Sequence, residues 1–305
     1  MFSAPVPAEG EDGLIPHQLM YEGLSRRYFV HAPPGYHPGH PVAVVILFHQ
    51  DGANGKEIAS LSQLNRIADQ NGFLAVYPDA VQGVWNDGRG VNRHYQFDDV
   101  GFVDRLIREL QQKWNADSTR VYAAGFDGGG FFAQYLALKL PGKLAALASC
   151  AATLPAVVAN QFRPRRPIPV FFILGMDDQV VPFKEAEKRQ KKRQKKQQKS
   201  RPPYLFASEA VNYWLMGNKC SQRAEQGMLN DVDETDQTRV RWLRYGVCSQ
   251  GSEVQLFGVE GGGHTWPGGY KNEKERSVGK TCKDIDASHE IWRFFSKHKL
   301  DDPRI

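Results

Sequence analysis

Gly125-Phe126-Asp127-Gly128-Gly129 places an acidic residue between glycines two positions away on either side. That spacing suits a tight turn from a strand into a helix, where neighbouring Cβ atoms have no room and the central side chain is presented outward. Such a turn displays a nucleophile. Ser is the residue expected there for attack on an ester, and this chain has Asp127. A second carboxylate and an imidazole follow in the order nucleophile, acid, histidine that acyl transfer on this kind of turn requires. Gly175-Met176-Asp177-Asp178 comes after the apolar run Val170 to Leu174, and Glu260-Gly261-Gly262-Gly263-His264 comes after the run Glu253 to Val259. His49-Gln50-Asp51-Gly52 follows Val42 to Phe48, in the place where half of an oxyanion hole would lie.

These residues act together only if strands deliver their loops to one edge of a sheet, as open parallel sheets do at the carboxyl ends of their strands. Gly23 to Ala32 reads as an early strand, ended by a Pro- and Gly-rich loop. Val42 to Phe48 is an unbroken β-branched and apolar run, the pattern of a strand buried on both faces. Further strands are expected at Phe73 to Tyr77, Arg120 to Ala124, Leu144 to Ala148, Val170 to Leu174, Arg239 to Tyr245 and Glu253 to Val259. Helical spacing of apolar residues marks Ile58 to Gln70, Asp99 to Trp114, Gly128 to Leu140, Ala207 to Met216 and Asp286 to His298. Strand-helix alternation along nearly the whole chain means an α/β class protein, a mostly parallel central sheet with helices on both faces.

Composition narrows the function. The 305 residues are 41% hydrophobic and 24% charged, enough apolar content for one large domain and too much for global disorder. The longest apolar stretches, Val42 to Phe48 and Leu144 to Ala152, fall short of the roughly 18 residues of a membrane-spanning helix. Met1 to Asp12 has neither a basic nor an apolar region, so no signal peptide is visible. Net charge is +5, but Lys184 to Arg201 holds ten Lys/Arg against two Glu and accounts for +8, leaving the remainder at −3. The basic balance belongs to this insert and not to the fold, and no specific nucleic-acid motif accompanies it. Lys188 to Lys199 has no apolar residue and is expected to be a solvated appendage able to contact polyanions. No cysteine pair has Cys-x-x-Cys spacing; Cys150, Cys220, Cys248 and Cys282 fit either two disulfides or four buried thiols.

Several stretches now resemble a known family. They are Trp85-Asn86-Asp87-Gly88-Arg89-Gly90, Asp99-Val100-Gly101-Phe102-Val103-Asp104, Arg120-Val121-Tyr122 and Val180-Val181-Pro182-Phe183. The most specific is Glu260-Gly261-Gly262-Gly263-His264-Thr265-Trp266-Pro267-Gly268-Gly269, followed by Asp286-Ala287-Ser288 and Ile291-Trp292-Arg293-Phe294-Phe295. From about Ser25 to His298 the chain resembles the secreted polyhydroxybutyrate depolymerase and feruloyl esterase group of α/β-hydrolases. The resemblance implies an α/β-hydrolase fold, with an N-terminal extension at 1–24 and a single domain at 25–300 interrupted by the basic insert at 184–203. It implies a carboxylic-ester substrate, of the hydroxyalkanoate or hydroxycinnamoyl class, and no cofactor. It puts the acid on Asp178, the histidine on His264 and the nucleophile position on Asp127. The oxyanion donors fall on the backbone of Gly128 and of Gln50 or Asp51. His49 and Trp266 fall beside the substrate, each with a plainer alternative as loop packing, and Asp99 either supports the active-site loop or caps its helix. Related sequences often pair cysteines at the positions of Cys220 and Cys248, which implies that disulfide and favours an extracellular or periplasmic location over a cytoplasmic one; the pairing of Cys150 and Cys282 stays open.

Asp127 changes the chemistry expected. A Ser hydroxyl attacks after His takes its proton and leaves a stable acyl-enzyme. A carboxylate needs no base, but its attack on an ester yields an anhydride. Asp127 and Asp178 on either side of His264 also push the imidazole toward its charged form, which cannot accept a proton. Three alternatives follow: an esterase-shaped binding protein without turnover; a carboxylate nucleophile acting at a tetrahedral carbon, as in dehalogenases and epoxide hydrolases of this fold; and a divalent cation held by Asp51, Asp127, Asp178 and His264. No ligand spacing supports the last, so no metal is expected.

Overall fold

The computed structural model describes residues 12–90, 97–184, 202–270 and 278–301, and the basic run Lys188 to Lys199 lies outside them. In chain order the elements are β1 (Ile15–Tyr21), β2 (Leu24–His31), β3 (Val42–Phe48), α1 (Gly55–Ser62), α2 (Leu64–Asn71), β4 (Leu74–Pro78), α3 (Asp99–Trp114), β5 (Ala116–Phe126), α4 (Gly128–Lys139), β6 (Ala146–Cys150), α5 (Ala156–Gln161), β7 (Val170–Gly175), α6 (Ala207–Gly217), β8 (Glu225–Met228), β9 (Arg239–Tyr245), β10 (Val254–Glu260) and α7 (Ala287–Phe295). The strands build one ten-stranded sheet in the order β1-β2-β4-β3-β5-β6-β7-β10-β9-β8. From β4 to β10 every neighbouring pair is parallel. Antiparallel strands flank this centre, β2 and β1 on one side and β9 and β8 on the other.

Alternation along the central strands feeds two cores. Val42, Val44, Ile46 and Phe48 of β3 enter the core shared with α3, α4, α5 and α6. Ala43, Val45 and Leu47 enter the opposite one, shared with α1, α2 and α7. Helices therefore cover both faces, and all seven residues of β3 are buried. At roughly 1.5–3 kcal/mol for each large apolar side chain removed from water, these layers supply the main drive for folding. On the floor of the sheet, Tyr122 donates to the His298 carbonyl at 2.7 Å and the Leu300 N–H donates to Thr119 at 2.9 Å. The chain end is thus fastened to β5, the strand whose far end carries Asp127.

Several elements differ from the sequence expectation. The helix expected over Ile58 to Gln70 is two helices, broken where Gln63 adopts left-handed φ 54°, ψ 28°. Asn54 starts the first, its side chain accepting from the N–H groups of Lys56 and Glu57. Strand β5 begins earlier than expected because the polar stretch Asp117, Ser118 and Thr119, which shows no apolar pattern, still falls in the strand. β1, β8 and α5 were not expected. β1 contains Pro16 and is only partly buried, and β8 is four residues long and includes Gly227. Residues 15–21, within the expected N-terminal extension, thus add an edge strand to the sheet. A disulfide joins Cys220, just beyond α6, to Cys248, just beyond β9, while Cys150 and Cys282 are free and buried. Among the described residues no helix is long and apolar enough to cross a membrane.

Candidate active site

Asp127 occupies the turn from β5 into α4 with φ 49° and ψ −119°. This is a strained conformation for a residue with a Cβ, and surrounding structure must hold it. The flanking glycines explain how. A Cβ on Gly125 would lie 2.1 Å from the Gly129 carbonyl oxygen, and one on Gly129 would lie 2.2 Å from that of Phe48. The Asp127 N–H donates to the Cys150 carbonyl at 3.1 Å, and its own carbonyl accepts from Gly130 and Phe131. The turn therefore keeps its shape with an acid at its apex.

His264 stands between two carboxylates. Its Nδ1 is 2.7 Å from Asp178 Oδ2, and its Nε2 is 3.5 Å from Asp127 Oδ1. Asp178 is fixed in turn by the N–H groups of Val180 and Val181, which donate to its Oδ1 at 2.7 and 2.8 Å. The loop carrying His264 is pinned by the Gly263 N–H, which donates to the Lys280 carbonyl at 2.9 Å. The imidazole is 8% exposed. Burial opposes its charge, but the hydrogen bonds and charges of Asp127 and Asp178 outweigh it and push its pKa up to about 9. At Asp127, burial opposes ionisation, and His264, Arg89 and the Gly128 N–H outweigh it and hold the carboxyl below its usual range. Both effects favour the charged imidazole and the ionised Asp127 facing each other.

The other Asp127 oxygen faces the oxyanion side. The Asp51 N–H points at Asp127 Oδ2 from 3.4 Å, long for a hydrogen bond but correctly directed. The Gly128 N–H also bonds the Asp127 carboxylate, so two backbone N–H groups face this side chain. Of the two candidates, Asp51 is the one whose N–H faces Asp127. The Gln50 side-chain oxygen is buried without a hydrogen-bond partner, and its backbone carbonyl accepts from His49 Nδ1 at 2.8 Å.

Sequence reasoning quoted Trp85 to Gly90 but assigned it no role, and the structure supplies one. Asp87 accepts from the Arg89 N–H at 2.8 Å and from its Nε at 2.5 Å, the short i to i+2 pairing that the Asp-Gly-Arg order permits. The Arg89 Nη2 then reaches Asp51 Oδ2 at 2.8 Å, and its guanidinium lies 4.4 Å above the Phe131 ring. Burial pushes the Asp87 pKa up to about 6 despite Arg89, and it also raises that of Asp51. Burial disfavours the charge on Arg89, but Asp87, Asp51 and Asp127 more than compensate. Arg89 therefore anchors the loop that offers the Asp51 N–H. The segment that carries Arg89 is itself held by Asp99, whose Oδ2 accepts from the Asn86 N–H at 2.8 Å and whose Oδ1 pairs with buried Arg26 at 2.6 Å. Asp99 thus supports the active-site loop, and the helix cap is Asp98, which accepts from the Gly101 N–H at 2.9 Å.

His49 and Trp266 do not line an open surface. His49 is fully buried, and its Nε2 accepts from the Ala80 N–H at 3.0 Å, so both ring nitrogens are taken up in ordering the loop. Burial pushes its pKa down. Trp266 is 2% exposed and meets edge-on, at 6.1 Å, the Phe126 ring that also packs at 5.4 Å from His264. Both rings are thus enclosed by protein, His49 with both nitrogens bonded to backbone and Trp266 with its Nε1 buried and without a hydrogen-bond partner. The four-residue cation set of Asp51, Asp127, Asp178 and His264 is likewise engaged in hydrogen bonds and ion pairs of its own.

The fold and the elbow, acid and histidine in this order define an α/β-hydrolase of the esterase type. Residues 37–204 match the phospholipase/carboxylesterase family, and the chain belongs to it. A putative esterase NocK of Nocardia uniformis subsp. tsuyamanensis is 29% identical over 276 residues, covering 89% of this chain and 79% of that protein. Feruloyl esterase B of Piromyces equi is 27% identical over 247 residues, covering 78% of this chain. A bifunctional acetylxylan esterase/xylanase of Neocallimastix patriciarum is 24% identical over 284 residues, covering 92%. The chain spans only 42% and 35% of the lengths of these last two. An acetyl xylan esterase from Aspergillus awamori has a similar fold, with a TM-score of 0.55 at 14% identity over 82% of this chain and 94% of that one.

Proposed function

We propose that this chain is a feruloyl- or acetyl-esterase-like protein that retains an ester-recognition site but is arrested at the acyl-transfer step by Asp127. The observation that carries this reading is the placement of the His264 ring between two carboxyl groups, Asp127 Oδ1 at 3.5 Å from one nitrogen and Asp178 Oδ2 at 2.7 Å from the other, which favours its charged form. A protonated imidazole cannot take a proton from water or from an alcohol. The Asp127 carboxylate also faces the two N–H groups that would otherwise stabilise a tetrahedral oxyanion. The uncleaved ester would be a neutral acyl ester of the hydroxycinnamoyl, acetyl or hydroxyalkanoate class, since the surrounding carboxylates disfavour an acid. The pairing of Cys220 with Cys248 supports an oxidising, extracellular or periplasmic setting. The charge of Lys188 to Lys199 supports salt-dependent contact with polyanions.

Asp127→Ser tests this directly, with p-nitrophenyl acetate, p-nitrophenyl butyrate and methyl ferulate as substrates. The parent chain should show no turnover at neutral pH. The variant should gain about 10³-fold or more over background, because a serine there would face the Asp51 and Gly128 N–H groups on one side and the His264–Asp178 pair on the other. Adding His264→Ala should remove the gain. Parent turnover that His264→Ala abolishes would refute the arrest, and no gain in Asp127→Ser would refute the retained site. A second reading has one observation in its favour: one Asp127 oxygen faces N–H donors while the other faces His264, the arrangement that attack on a tetrahedral carbon needs. Release of halide or opening of an epoxide by the parent chain would establish it over the first.

A further inference from the structure

We propose a zinc-binding site at Asp236, Cys282 and Asp284, behind the loop that carries His264. One ligand-type atom from each of these residues lies within 4.8 Å of the others. The cluster is assembled from two short pairs on different loops, Asp236 with Thr238 and Cys282 with Asp284. Backbone donors fix its carboxylates. Asp236 accepts from the N–H groups of Thr238 at 2.6 Å and Lys283 at 2.7 Å, and Asp284 Oδ1 accepts from those of Val232 at 2.7 Å and Asp233 at 3.0 Å.

What points to a ligand is the set of atoms left over. Asp284 Oδ2 is buried and has no hydrogen-bond partner. Thr238 is 2% exposed, and its Oγ1 faces the Cys282 thiol and otherwise has no partner. A buried oxygen without a partner costs on the order of a lost hydrogen bond or more, and a cation removes that cost. The donor set selects the ion. A thiol is a poor ligand for calcium or magnesium, whereas one sulfur with carboxylate oxygens suits zinc, at about 2.3 Å for sulfur and 2.0–2.2 Å for oxygen. A water or a further oxygen would complete the four ligands zinc prefers. On binding, the Cys282 thiol gives its proton to solvent and the thiolate bonds to the metal.

The location gives the site a consequence. The same segment receives the Gly263 N–H and the Thr265 hydroxyl at the Lys280 carbonyl, and the Gly268 N–H at the Cys282 carbonyl at 2.9 Å. An ion here would brace the strap against which the His264 loop rests.

Cobalt is the probe, because a cobalt–thiolate bond absorbs in the near ultraviolet. The full-length chain, equilibrated with cobalt and then with micromolar zinc, should hold one metal per chain and show that band with cobalt. Cys150→Ser and Asp127→Asn should leave both unchanged. Cys282→Ser should lose the band, and Asp284→Asn, which keeps the side-chain volume, should weaken zinc binding at least tenfold with its circular dichroism unchanged. No retained metal, a band that survives Cys282→Ser, or metal lost in Asp127→Asn would each overturn the site; the last would put the ion at the catalytic turn.

Discussion

Replacing Asp127 by Asn should flatten the loss of stability that this chain suffers as pH rises above neutrality. The His264 pKa stands at about 9 in the folded chain against an ordinary 6.5, burial opposing the charge and the two carboxylates prevailing. A folded-state value above the unfolded one means that the folded chain holds an extra proton between those two pH values. The stabilisation is complete below pH 6.5 and disappears as pH climbs through 9. Each pH unit in that window costs about 1.4 kcal/mol, so the whole window costs about 3 kcal/mol. Asp127 Oδ1 sits 3.5 Å from the imidazole Nε2. At an effective dielectric constant of about 20, a pair at that distance is worth about 5 kcal/mol, and without it Asp178 alone is left to offset the burial of the imidazole. Urea unfolding at constant ionic strength across the window should therefore show the parent losing about 3 kcal/mol and Asp127→Asn losing less than about 1 kcal/mol. The buried thiols Cys150 and Cys282 also weaken the fold at high pH, but they are present in both chains and cancel in the difference. Parallel curves would refute the reasoning, because they would mean that Asp127 does not hold the proton on His264.

Two further outcomes are expected. Denatured, unreduced protein from its native source should present two titratable thiols, Cys150 and Cys282, whereas four would mean that the Cys220–Cys248 bridge does not form there. Deleting Lys188 to Lys199 should leave the melting temperature nearly unchanged and sharply reduce retention on heparin, since the run carries charge and no apolar surface. Unfolding on deletion, or unchanged retention, would contradict its place as an electrostatic appendage.

The central strands and the order of Asp127, Asp178 and His264 were legible in the sequence because they follow from local pattern. An unbroken apolar run reads as a doubly covered strand, and the loops that follow such runs meet at one edge. Asp99–Trp114 shows its helix with its full length because one apolar stripe runs through all of it. The break at Gln63 could not be read the same way, since the apolar spacing continues across it and only backbone geometry reveals two helices. β1 and β8 were missed because exposed margins of a sheet need no strong alternation. The Asp51–Arg89–Asp87 network was missed for a different reason. Its ion pair between Arg89 and Asp51 joins residues 38 positions apart, and nothing in either neighbourhood encodes the partner.

The two margins of the sheet bear on how copies of the chain meet. β1 presents Pro16, which lacks an N–H, and β8 offers a neighbour only four residues with Glu225 at its start. An extended segment from another molecule would find few ladder bonds to make on either side, and would gain little from registering there. A parallel centre as apolar as β3 to β7 is the kind of template that seeds fibrils when its flanks are bare. Here antiparallel strands, one with a proline and one only four residues long, stand between that centre and the margins of the described sheet.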